Sequence, residues 1–536
     1  MVLQSQTEQK KIISRRIEIA GRIVILVISF LLLSRNLCGM FIGFREDNSA
    51  SNSVFARNHI RYGIGYTKLF NTDTAIAGTE PYRNLNHPPL LSVLAAMPMY
   101  VFGEHEWVGR SVAIATTLGG AWLLMVIISR MHSAAMGLLT GLFYVTLPIT
   151  AYFGRILCHE SPVQFFSLLM LYGYILWSGG YGEGGNRKTG AVYYVLGTVL
   201  GIGTGWAAVI MAGLIWIWNV CRSFRDKSAR PLLIWVTIVP AVSLAAVFIH
   251  ILWGFGWKAG WLSYLFSTRT VGSQDVTHWT RRIWRWMVQN FTVIGIGAAV
   301  IYSALIPAIL RFSSSGSPLR DVVRNGRAIV PILLTLVQGS IWIVVFRHES
   351  WVHEYWQYYC SPFVAVSMAG VVLAGFVMLS RLSPRAAAAV TVLLILLHTP
   401  FFARAINWYH QVGVQGFEGH IRYMSNIASL YKELDKFVPF RTPVMTSENY
   451  QCGEKFGGYE FRWIDRGVSY YADRPMVYTT DVNEIEANAQ GCAAYVMVAD
   501  DPNKQRLAQQ LASMYKLGWI NNGYMFFFLT TEPNSR

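Results

Sequence analysis

Charge is scarce in this chain. Asp, Glu, Lys and Arg make up 14% of its 536 residues, whereas 53% are hydrophobic. That balance excludes an ordinary water-soluble protein and points to a polytopic membrane protein. Cysteine is scarce too. The six are scattered with no C-x-x-C, which argues against a structural zinc site. No H-E-x-x-H, G-x-S-x-G or Walker loop occurs, so the usual metalloprotease, hydrolase and nucleotide signatures are missing. A cleavable leader is not expected either. The polar, basic start (Lys10, Lys11, Arg15, Arg16) runs into an apolar stretch with no A-x-A-like site after it, which reads as an uncleaved anchor.

What is abundant is apolar sequence, 19 Trp and a net charge of +16. A helix needs roughly 20 apolar residues to cross a bilayer. Such stretches lie near 21–42, 108–130, 133–152, 162–178, 190–205, 206–221, 230–253, 290–311, 328–346, 362–380 and 385–403. Gly197, Gly201 and Gly205 suit close helix approach; with no Lys-Ser/Thr after them they are not a phosphate loop. The stretch 89–102 is short and holds Pro98, so it reads as interfacial or re-entrant. Charge supports that choice. With eleven spans and the amino terminus inside, Arg130, Arg187, Lys188, Arg222, Arg225, Lys227, Arg230, Arg311, Arg320, Arg324, Arg327, Arg381 and Arg385 all fall in inner loops. The basic excess is then a membrane-topology signal and gives no reason to expect nucleic acid.

The expected fold is therefore a polytopic α-helical membrane protein, with about eleven spans plus the interfacial segment, in residues 1–404. A small extracytoplasmic α/β domain is expected in 405–536. There, 418–437 and 503–516 read as helices, and 443–446, 467–471, 493–498 and 524–530 as strands. Cys452 and Cys492 fall in this region, as a disulfide or as two free thiols.

Four outer loops carry the candidate chemistry. In the first, 43–107, Glu46 and Asp47 follow the first span. A solvated turn capping the next helix explains them, and so does a general base that takes a proton from an acceptor hydroxyl. His87-Pro88-Pro89 is a helix start, or a rigid corner aiming His87 at the acidic pair or a phosphate. Arg155 and Glu160 lie between two spans, where ionisable groups are costly; they join two helix ends or line a site. The third loop interleaves Lys258, Arg269, Arg281, Arg282 and Arg285 with Trp, which suits lipid phosphate or anionic head groups. Before a late span, His353, Glu354, Tyr355 and Gln357 exceed what an aromatic belt needs. The outer loops hold no D-x-D, so no metal is inferred; a divalent cation held by Glu46, Asp47 and Glu160 stays open.

Taken together, these motifs resemble the GT-C superfold of membrane glycosyltransferases, in the branch shared by protein O-mannosyltransferases and aminoarabinose transferases of lipid A. The carriers are the acid after the first span, His87-Pro88-Pro89-Leu90, Arg155 with Glu160, and His353-Glu354-Tyr355-Trp356-Gln357. The resemblance implies a polyprenyl-phosphate-linked sugar donor and a hydroxyl acceptor (glycolipid, glycan or protein) outside the cytoplasm. It implies Asp47, with Glu46 in reserve, as base, and His87, Arg155, Glu160, His353, Tyr355 and Gln357 around the donor phosphate and sugar; Arg281, Arg282 and Arg285 of the basic third loop join them as phosphate-binding candidates on their own charge. Single displacement would invert the anomeric centre. The chain departs from the pattern in its Glu-Asp order and in having Glu160 where Asp is usual. A polyprenyl-linked sugar flippase or a non-catalytic scaffold are the competing readings. Internal repeats, which transporters often show, are not evident.

Overall fold

Apolar stretches become helices because, inside a bilayer, the chain must satisfy its own backbone N–H and C=O groups. A computed structural model describes residues 2–41, 43–73, 83–84, 87–179, 186–255, 270, 275–312, 329–415, 418–439, 442–449, 451–456, 459–464, 466–472, 474–521 and 523–529. The chain begins with α1 (Val2–Leu33), α2 (Asp47–Thr67), the short antiparallel pair β1 (Asn71–Thr72) and β2 (Arg83–Asn84), and α3 (Leu90–Phe102). Then come α4 (Glu106–Met131), α5 (Ala134–Thr146), α6 (Pro148–Phe153), α7 (Glu160–Trp177), α8 (Arg187–Thr204), α9 (Ala207–Arg225) and α10 (Arg230–Phe255). α11 (Val276–Phe312), α12 (Ile329–Val345), α13 (Arg347–Val352), a 3-10 turn Glu354–Cys360, α14 (Ser361–Ser380) and α15 (Pro384–Gln415) follow.

Among the described residues six helical segments are long and apolar enough to cross a membrane: Glu106–Met131, Ala207–Arg225, Arg230–Gly254, Val276–Leu305, Glu354–Ser380 and Pro384–Gln411. The chain is an integral membrane protein. The stretch 133–152, expected as one span, is broken at Leu147. Leu147 precedes Pro148 and takes an extended conformation (φ −66°, ψ 132°), which ends α5 and starts α6. The stretch 89–102 folds as one 13-residue helix that carries Pro98 inside it.

The chain divides into two compact units, Met1–Leu37 with Arg110–Tyr409, and Cys38–Gly109 with His410–Arg536. In the first, α7 and α8 touch backbone to backbone. A Cβ on Gly173 would meet Tyr194 N at 2.2 Å, and one on Gly197 would meet Met170 N at 2.4 Å, so only glycine fits either position.

The second unit adds α16 (Glu418–Leu434), β3 (Val444–Thr446), the hairpin β4 (Gln451–Phe456) and β5 (Tyr459–Ile464), α17 (Arg466–Ala472) and β6 (Met476–Tyr478). It ends with α18 (Val482–Asn488), β7 (Ala494–Val498), α19 (Pro502–Met514), β8 (Lys516–Asn521) and β9 (Tyr524–Phe528). One sheet has the order β6-β3-β7-β9-β8, parallel across β6-β3-β7 and antiparallel at β7-β9-β8. Side chains alternate across it. Val444, Val496 and Phe526 pack under Ile427, Leu430, Tyr431 and Leu434 of α16. Met445, Tyr495, Met497 and Phe527 meet Ile485 of α18 and Leu507 and Leu511 of α19 on the other face. Helices on both faces explain why these strands read as unbroken apolar runs. The run 467–471, expected as a strand, is helix α17, because five residues are too few for periodicity to separate the two. Cys492 is a buried free thiol; the side chain of Cys452 lies outside the described residues.

Candidate functional site

Within the larger unit, the chain leaves α6 at Gly154 and turns before α7. Arg155 is buried in that turn. Its Nη1 donates to the Arg35 carbonyl, and its guanidinium lies 5.4 Å from the centre of the Tyr152 ring. His159 donates from Nδ1 to the Thr204 carbonyl at 2.8 Å. Glu160 opens α7, ahead of its apolar part, and is 3% exposed. Burial pushes its carboxyl up to about 7; a bond from Cys158 and the nearby His353 pull the other way, and Glu354 adds to the rise. A carboxyl poised near neutrality can take or give a proton.

His353 lies where α13 ends and the 3-10 turn begins. Its Nε2 is 3.0 Å from Glu349 Oε2, and its Nδ1 is 3.0 Å from the Tyr355 hydroxyl. An ionised carboxylate only accepts. Nε2 therefore carries the proton, and in the neutral ring Tyr355 O–H donates to Nδ1. The result is a short hydrogen-bonded chain, Tyr355 to His353 to Glu349. Gln357 is tied differently. It accepts from Asn290 Nδ2 at 2.9 Å and donates to the Ile283 carbonyl at 3.1 Å. Asn290 Nδ2 also reaches the Glu354 carbonyl at 2.9 Å, and the Tyr409 hydroxyl donates to Asn290 Oδ1. Arg282 stacks 4.5 Å from the Trp351 ring centre and 5.6 Å from that of Trp286; Arg281 and Arg285 are exposed on α11. Lys258 and Arg269 lie outside the described residues.

The smaller unit holds Glu46, Asp47 and His87. Asp47 is exposed at the first position of α2, where a carboxylate suits the helix N-terminus. Glu46, the residue before it, is 1% exposed. Arg45 holds a left-handed conformation (φ 62°) that turns the chain into the helix. His87 is half-buried just ahead of Pro88, Pro89 and α3. A second histidine, His59, is buried on α2 with Nε2 2.9 Å from Ser92 Oγ and Nδ1 3.0 Å from Thr67 Oγ1. Ser92 Oγ lies 2.7 Å from Asn71 Oδ1 and 2.8 Å from the Pro89 carbonyl. Burial lowers the His59 pKa to about 4, so the ring is neutral. Among the described residues no three His, Cys, Asp or Glu side chains gather as a metal site would need.

No family model matches the chain, and no curated protein sequence matches it. Solved structures do. ArnT from Cupriavidus metallidurans, bound to undecaprenyl phosphate, aligns at TM-score 0.59 and 12% identity over 96% of this chain and 98% of its own. The apo form of that protein gives 0.56 at 12% over 95% and 97%. The oligosaccharyltransferase AglB from Archaeoglobus fulgidus, in complex with an inhibitory peptide and a dolichol-phosphate, gives 0.51 at 10% over 95% and 74%. The chain has the GT-C fold.

In this GT-C chain the residues named from sequence fall in two sets. Arg155, Glu160, Arg281, Arg282, Arg285, His353, Tyr355 and Gln357 belong to one unit, and Glu46, Asp47 and His87 to the other. Glu160 and His353 lie within electrostatic reach of each other, and His353 and Tyr355 are bonded. Three partners were not read from the sequence. Glu349 stands four residues before His353, a helical spacing that marks it. Asn290 is a polar residue in an apolar helix, a signal of the same kind as Arg155. Tyr409 has no local signal; its role depends on a contact 119 residues away in sequence.

Proposed function

We propose that this chain is a glycosyltransferase that moves a sugar from a polyprenyl-phosphate donor to a hydroxyl acceptor, on the periplasmic face of a bacterial inner membrane. The observation that carries the reading is the near-full-length GT-C match to proteins solved with undecaprenyl phosphate and with dolichol-phosphate. Arg155, His87 and the arginines of α11 are proposed to hold the donor phosphate, as guanidinium and imidazole groups stabilise the charge left when the glycosidic C–O bond breaks. Glu160, His353, Tyr355 and Gln357 are proposed to orient the donor sugar. Asp47, with Glu46 in reserve, takes the acceptor proton as the hydroxyl attacks the anomeric carbon, and the centre inverts.

The test uses the purified full chain with a labelled polyprenyl-phosphate sugar. Cleavage of the donor, with transfer or hydrolysis, is expected. Asp47→Asn is expected to cost at least roughly a hundredfold in rate, the lower range for a general base. Unchanged turnover in Asp47→Asn would remove Asp47 from this role. Donor crossing proteoliposomes uncleaved would replace the transferase with a flippase.

A further inference from the structure

The smaller unit contains a cavity of about 470 Å³ that no part of the proposed chemistry uses. Its size falls within the roughly 300–1,000 Å³ of small-molecule sites. One wall is α16. Ser425, Ala428, Ser429 and Lys432 repeat at helical spacing on the face opposite the Ile427–Leu430–Leu434 stripe that packs on the sheet. Small side chains there leave the space open. The facing walls come from α2, the turn before α4, and α17.

Those walls are fixed in place. Arg57, 3% exposed, donates from Nη1 to the Tyr470 carbonyl at 2.7 Å and from Nη2 to the Ser469 carbonyl at 2.8 Å. Arg61 meets Glu104 through a two-point fork, Nε to Oε1 at 2.6 Å and Nη2 to Oε2. Tyr471 accepts from the Phe41 N–H at 2.8 Å and stands 3.4 Å from Glu106 Oε1. The Tyr470 and Tyr471 rings meet at 5.0 Å and 88°. Asp435 is held by Arg474.

The lining is therefore balanced in charge, with Arg57, Arg61 and Lys432 against Glu104, Glu106 and Asp435. A net field that would select an anion or a cation is lacking. What the cavity offers is planar, pre-oriented donors and acceptors beside aromatic rings and small hydroxyl side chains. The guanidinium forks are spent within the wall, but carboxylate oxygens keep lone pairs for ligand hydroxyls, Lys432 and the serine hydroxyls add donors, and the C–H face of a sugar ring matches a tyrosine face. We propose that this cavity binds a mono- or disaccharide unit of the acceptor, which makes the acceptor a glycan-bearing molecule. Naming the ligand as acceptor rests on the transferase reading; saccharide binding itself does not.

The experiment is saturation-transfer NMR on the full chain in detergent, with N-acetylglucosamine, its β-linked dimer, methyl glucoside and methyl galactoside as probes. Inorganic phosphate and a neutral serine-containing peptide are run beside them. At least one saccharide is expected to bind. Ser429→Trp, which fills the cavity, should weaken that binding at least tenfold with the melting temperature retained. Ala428→Leu, a smaller filler on the same wall, serves if Ser429→Trp does not fold. No saccharide signal, equal binding in both variants, or binding of phosphate or peptide alone overturns the proposal. Donor cleavage is measured separately. Saccharide binding without cleavage sinks the transferase reading and leaves the cavity assignment standing.

Discussion

Glu160→Gln separates what a buried carboxyl does for stability from what it does for function. In the folded chain the Glu160 carboxyl titrates at about 7, against an ordinary value of 4.5, because burial penalises its charged form. Folding therefore holds the proton more tightly than the unfolded chain does. The contribution to stability is fully present below about pH 4.5 and is lost as pH rises through 7. A shift of this size, at 1.36 kcal/mol per pKa unit, amounts to roughly 3 kcal/mol at pH 8. Gln keeps the size and cannot ionise. Glu160→Gln should thus melt higher than wild type at pH 8, and the two should converge near pH 5. Activity should move the other way if the carboxyl serves the reaction, a trade between stability and function. The assay is a pair of thermal melts in detergent across pH 5–8, with donor turnover measured on the same samples. A variant that melts lower at pH 8, or a difference that does not change with pH, would refute the reasoning.

Three further outcomes are expected. His59 has the opposite sign: its folded pKa of about 4 lies below the ordinary 6.5, so stability is full above about 6.5 and falls toward pH 4, by roughly 3 kcal/mol at most; His59→Gln should flatten that acid limb in melts. Gly197→Ala forces a Cβ to within 2.4 Å of Met170 N and should cost about 1–3 kcal/mol as α7 and α8 part, read as a lower melting temperature. Arg57→Met removes two bonds to the carbonyls of Ser469 and Tyr470 and should loosen α17, costing about 2–4 kcal/mol; faster amide exchange in residues 466–472 checks it.

How much was legible in advance follows from the range of each signal. Whether a helix is apolar enough for a bilayer depends on the residues within it, so stretches such as 108–130, 206–221 and 362–380 are readable from sequence and recur as α4, α9 and α14. The same holds for the α16 stripe and for the strands at 444–446 and 494–498. Five-residue runs carry less, and 467–471 folded as helix rather than strand.

Pairings between distant residues are another matter. Sequence placed Glu46 and Asp47 side by side and named Asp47 as the base with Glu46 in reserve. The fold buries Glu46 and exposes Asp47, because the left-handed Arg45 and the start of α2 send neighbouring side chains to different surroundings. The resemblance also grouped His353, Tyr355 and Gln357 around one donor. Only the tertiary structure divides them, joining His353 and Tyr355 to Glu349 and binding Gln357 to Asn290, which Tyr409 also meets. By itself, then, the sequence determined that the chain lies in a membrane, because hydropathy adds up locally. Which carboxylate is buried, which polar groups share a hydrogen-bonded network and which walls close a cavity were decided only when segments far apart in sequence came into contact, since each of those energies depends on a partner the local sequence does not contain.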